Sequence, residues 1–199
     1  MTTKGKSRVD EQAREKAAAA VAAYNGRVKA IRADDGLSDM GKRSALEAEF
    51  EKAKATTAKL RGDAEKSAER RQQALRRELF GLSYGSSDTA VVSLRDAQDR
   101  VTQAKSPEEL GELMERAAVT GDESLLRAGF ARAWQQGRNP LGSAAKWNGL
   151  VDEYAQQRPS VKGQLQELEQ LISSAGQTAE FAERMETTPV PPSELRVSA

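Results

Sequence analysis

The chain has 199 residues, with 31 Lys/Arg against 30 Asp/Glu for a net charge of +1, and only 38% of it is hydrophobic and 5% aromatic. It contains no histidine and no cysteine, so the commonest general base, the commonest metal ligand and the best soft nucleophile are missing, and disulfides and His-dependent serine triads are excluded. So thin an apolar fraction at this length predicts an elongated all-α protein with solvated charged faces, used in interaction or assembly and needing no cofactor.

No run approaches the 18 or so apolar residues that cross a bilayer, and the basic start has no apolar signal core, so a cytosolic protein without membrane contact is expected. The near-neutral total hides an asymmetry. Residues 1–84 hold 19 Lys/Arg against 13 Asp/Glu and residues 85–199 hold 12 against 17. Opposite halves suit different partners or head-to-tail packing of copies, although long helices also need charged faces for solubility alone.

In chain order, a first helix is predicted over about Arg8 to Arg32, with Val9, Ala13, Ala17, Val21, Tyr24, Val28 and Ile31 on one face. Asp34, Asp35 and Gly36 break it, and Ser38 is the candidate N-cap of the next helix. That second helix runs to Leu79 without proline, and Leu46, Phe50, Ala53, Thr57, Leu60, Ala64, Ala68, Leu75 and Leu79 share one stripe. A short turn between two periodic helices predicts an antiparallel coiled-coil hairpin over residues 1–84. Many seam residues are alanine or threonine, which bury little area, so a further partner is expected along the seam.

The glycine-punctuated stretch around Phe80, Leu82 and Tyr84 reads as a hinge, and the unmatched end of the second helix makes these three residues candidate partner contacts. Residues 85–186 are predicted to form a bundle of shorter helices, over about Asp88 to Lys105, Pro107 to Val119, Glu123 to Gln136, Ser143 to Gln157, Ser160 to Ser174 and Gln177 to Glu186. Ser106-Pro107-Glu108-Glu109 combines a capping serine, proline at the first helical position and glutamate three residues on, and Asp122 offers another cap. Trp134, Trp147, Leu125, Leu126, Phe130, Leu141, Leu150, Val151 and Tyr154 can supply a small core here, with exposed tryptophan anchors as the sharper reading. Residues 187–199 form a proline-rich tail, expected to be extended; as a docking peptide it would present Val190, Leu195 and Val197 to a groove.

On the second helix Lys52, Lys59, Lys66, Arg70 and Arg77 fall within about 40° of one another around the axis, facing away from the seam and covering about 37 Å. Such a row can track nucleic acid or an acidic surface, but Asp63 interrupts it and no aromatic residues interleave to stack on bases, so a solvated face is the simpler reading. The acidic pairs Asp34-Asp35, Glu108-Glu109 and Asp122-Glu123 fall at turns and helix starts, where carboxylates meet the helix dipole. They and Asp152-Glu153 have no calcium-loop spacing, and no phosphate-binding glycine loop occurs. A metal-dependent enzyme would need several carboxylates gathered in one concave pocket.

Two stretches, from Ile31 through Asp34-Asp35-Gly36-Leu37-Ser38-Asp39-Met40-Gly41-Lys42-Arg43, and from Ala118 to Leu126 continuing through Trp147 to Tyr154 and Arg158-Pro159, cover about a quarter of the chain. They resemble hairpin turns in helical proteins from phages and prophages of high-GC actinobacteria. The resemblance carries over no functional residues. It implies an oligomeric virion structural or assembly protein, made in the host cytoplasm and incorporated in the particle, whose partners are phage structural subunits or its own copies. Phage scaffolding proteins are similarly helical and cysteine-poor, but this chain is not strongly acidic and its second half can hold a settled core. That places a capsid- or connector-associated component ahead of a transient scaffold.

Overall fold

The computed structural model describes residues 8–83, 85–139, 144–174 and 187–195. These form seven α-helices and a short 3-10 turn: α1 (Arg8–Ala33), α2 (Asp39–Phe80), α3 (Asp88–Gln103), α4 (Pro107–Thr120), α5 (Glu123–Gly137), α6 (Ala144–Gln156), α7 (Pro159–Ser174) and the turn Ser193–Leu195. No strand occurs among the described residues, and the fold is all-α. The expected helix over 177–186, together with Leu141, Tyr84 and Val197, lies outside the described residues.

The helix starts follow from local chemistry. The Ser38 hydroxyl accepts the Gly41 amide at 3.2 Å, Ser87 that of Ala90 at 3.3 Å, Ser106 that of Glu109 at 3.1 Å and Asp122 that of Leu125 at 2.9 Å. The Glu109 carboxylate reaches back to the Lys105 amide at 2.8 Å, so α4 opens with a variant of the capping box. It closes at Gly121, whose φ of 72° is the left-handed conformation that glycine adopts without a Cβ penalty. There the Gly121 and Asp122 amides donate to the Ala118 and Ala117 carbonyls, a Schellman pattern, and Asp122 then caps α5. One two-residue link thus ends one helix and starts the next.

The chain divides into two compact units: Met1–Arg71 with Glu169–Ala199, and Gln72–Leu168. The division therefore falls within α2 and again within α7, not at the glycine-punctuated stretch near residue 85. The reason is that α2 continues unbroken to Phe80, and its last turns pack with the helices that follow. Residues 187–195, expected as a separate tail, group with the hairpin.

In the first unit α1 and α2 form the hairpin. Tyr24, Val28, Leu46 and Ala53 make its core, with Ile31 and Phe50 packed against it, and the Tyr24 and Phe50 rings meet at 6.3 Å. Arg27 pairs with Glu49 across the helices, and Lys42 Nζ donates to the Arg32 carbonyl at 3.1 Å, one of the terminal acceptors of α1. Every residue assigned to the α2 stripe from sequence is at least partly buried. Thr57 enters the seam without an unsatisfied hydroxyl, because it donates back to the Ala53 carbonyl at 3.0 Å.

In the second unit α5 is central, packing against α3, α4 and α6. Leu94, Ala97 and Val101 of α3, Leu110 and Met114 of α4, Leu125, Leu126 and Phe130 of α5, and Trp147, Val151 and Tyr154 of α6 are buried. Gly129 lets α4 approach: a Cβ there would lie 2.6 Å from Met114 Cγ.

Candidate functional site

Phe80 was a candidate partner contact, and its ring is instead engaged within the unit. It packs on Trp134 at 4.8 Å and Phe130 at 5.3 Å between centroids, and Phe130 stacks on Tyr154 at 4.5 Å. Just beyond it Arg127 donates to the Gly81 carbonyl at 2.6 Å, and Leu82 is half-buried. The end of α2 is thus occupied intramolecularly by α5, a pairing that the periodicity of α2 alone does not reveal. Trp134 also carries the Arg138 guanidinium 4.5 Å over its ring, and Arg158 lies 4.2 Å over that of Tyr154. Trp147 is buried, as expected of a core residue.

The basic row divides between the units, with Lys52, Lys59, Lys66 and Arg70 in the first and Arg77 in the second. All five are exposed. Lys52 lies 3.8 Å from Glu49, whereas Lys59, Lys66, Arg70 and Arg77 make no ion pair with a described residue. Asp63 is exposed as well. Among the described residues no group of three acidic side chains is placed to hold a metal ion, and no described helix is long and apolar enough to cross a membrane.

The most developed polar constellation lies on the hairpin, where residues 187–195 are held. Thr187, Pro189 and Pro192 are buried, Leu195 is half-buried, and Val190 turns its side chain outward at 62% exposure. The nearly inaccessible Tyr24 hydroxyl donates to the Val190 carbonyl at 2.9 Å. Arg32 forms a two-pronged pair with Glu194, at 2.7 Å from Nε and 2.8 Å from Nη2, and Arg61 donates to the Thr188 hydroxyl at 3.3 Å. Planar guanidinium against carboxylate is the geometry that fixes orientation as well as charge.

Electrostatics follow the contacts. The Arg32 hydrogen bond, aided by the Glu194 backbone and Ser193, holds the Glu194 carboxyl down to about 2, well below the usual carboxylate range. Burial raises the Tyr24 hydroxyl, Arg32 opposes that shift, and Glu194 adds to it, so the group stays a protonated donor through neutral pH. Beside this pair lies a cleft of about 380 Å³ lined by Arg32, Asp39, Lys42, Arg43, Leu46 and Glu194. Val190 and Leu195 were identified from sequence as insertion points. The groups that carry the polar contacts here, Tyr24, Arg32 and Glu194, were not, because no local motif links α1 to residues 166 and 162 positions away.

Comparison of the chain with protein-family models, with curated proteins and with solved structures finds no match.

Proposed function

We propose that this chain is a non-enzymatic structural or interaction protein that works through helix-face contacts with other subunits, as a capsid- or connector-associated component of a phage particle or its assembly. The observation that carries the contact role is the α2 stripe at Leu60, Ala64 and Ala68, which is only half-buried. By the register set at Tyr24–Phe50 and Arg27–Glu49, α1 places Ala13 and Ala17 opposite the Leu60 end of this part of α2, and small residues leave room and apolar surface for another helix. The phage setting rests on the resemblance of the Ile31 to Arg43 and Ala118 to Leu126 stretches to hairpin proteins of actinobacterial phages.

Light scattering across a concentration series, with the purified chain alone and with the subunits encoded beside it, tests the contact role; a chain that stays monomeric and binds none of them refutes it. A gene lying outside any phage head or tail cluster refutes the particle setting.

A second reading, association with nucleic acid, is favoured by one observation: Lys59, Lys66, Arg70 and Arg77 are exposed and unpaired with described residues. Salt-dependent DNA binding that disappears when they and Lys52 are changed to glutamine would establish it over the first.

A further inference from the structure

Residues 187–195 already behave as a ligand of the hairpin. Their contacts sample both helices: Tyr24 and Arg32 come from α1, and Arg61 comes from α2. The segment carries Pro189, Pro191 and Pro192, whose fixed φ lowers the entropy lost on docking. Without Glu194, the cleft at its end keeps Arg32, Lys42 and Arg43 against Asp39, an excess of two positive charges. The receiving surface is therefore complementary to a carboxylate arriving four residues after a carbonyl that meets the Tyr24 hydroxyl.

We propose that the α1–α2 groove is a receptor for an extended, proline-rich segment ending in a carboxylate, and that its ligand in trans is residues 187–195 of a second copy of this chain. The contacts are the same whichever copy supplies the segment. Twelve residues separate Ser174, the end of α7, from Thr187, and that length of chain spans at most about 40 Å. A segment supplied by a neighbouring copy would meet the same groove with the same residues. The cis segment competes for the groove, so exchange rises with protein concentration and links copies where they are crowded. This goes beyond the proposed role, requires no phage partner, and its failure leaves the helix-face contacts of α2 untouched.

The chain contains no cysteine, which allows a direct test on the full-length protein. An Arg61→Cys chain is mixed with a Thr188→Cys chain and treated with a short bismaleimide. As a control, the Arg61→Cys chain is mixed with a Val92→Cys chain, residue 92 being an exposed position in the other unit. Exchange predicts that the 61–188 adduct between chains forms at least about tenfold faster than the 61–92 adduct. The advantage should fall when excess synthetic peptide of residues 187–195 is added, and when the Thr188→Cys chain also carries Glu194→Arg.

An equal rate for the two pairs, with an Arg61→Cys/Thr188→Cys chain cross-linking only within itself, overturns the trans ligand while keeping the groove. Failure of that double variant to cross-link internally overturns the groove too.

Discussion

Replacing Tyr24 with phenylalanine isolates the bond that holds residues 187–195 at their middle. The ring sits at 1% exposure among Val28, Leu46 and Ala53, with Phe50 beside it, and phenylalanine keeps that packing. What is lost is a single 2.9 Å donation to the Val190 carbonyl. A net hydrogen bond contributes about 0.5–1.5 kcal/mol, which corresponds to a roughly two- to thirteen-fold rise in the population of the undocked segment. Amide hydrogen exchange reads this directly. Protection at residues 187–195 should fall by that factor while protection within α3 to α6 stays unchanged, because those helices belong to the other compact unit. If protection of the segment is unchanged, or if it falls equally along the whole chain, the segment is not held by this bond and the docking described above is refuted.

The Glu194–Arg32 pair predicts a pH signature. Because the docked carboxyl lies at about 2, below the ordinary 4.5, pairing contributes fully above about pH 4.5 and is lost as pH falls through about 2. Segment protection should therefore weaken across that window in the parent and show no such step in Glu194→Gln, as exchange compared between the two will show. Phe130→Ala removes a ring at 0% exposure from the Phe80–Phe130–Tyr154 stack and should destabilise the second unit by about 3–5 kcal/mol in chemical denaturation. Gly129→Ala places a Cβ against Met114 Cγ; overpacking of about 1–3 kcal/mol should exceed the roughly 1 kcal/mol gained in helix propensity, giving a lower melting midpoint. Lys59→Gln, on the exposed row, should leave stability within about 0.5 kcal/mol in the same assay.

Local chemistry made the helices legible without coordinates. Ser38, Ser106, Asp122 and Gly121 act within four residues of themselves, so their effect on where α2, α4 and α5 begin or end does not depend on distant parts of the chain. Periodicity likewise set which face of α2 is buried, because every turn of a helix returns the same face whatever packs on it. The composition of the second half indicated a core of Trp147, Phe130, Val151 and Tyr154 for the same reason.

Only tertiary structure decided the partners of those faces. Tyr24 and Val190 lie 166 positions apart, and neither belongs to a motif that names the other. Phe80 looked like a free end because α1 is shorter than α2, yet α5 covers it. The limits of the compact units also depend on such long-range contacts, which is why they cut through α2 and α7 rather than falling at a turn. Capping and amphipathic spacing are short-range properties of one segment, whereas a docked tail or a covered ring depends on which segments meet, and that is settled by the packing of the whole chain.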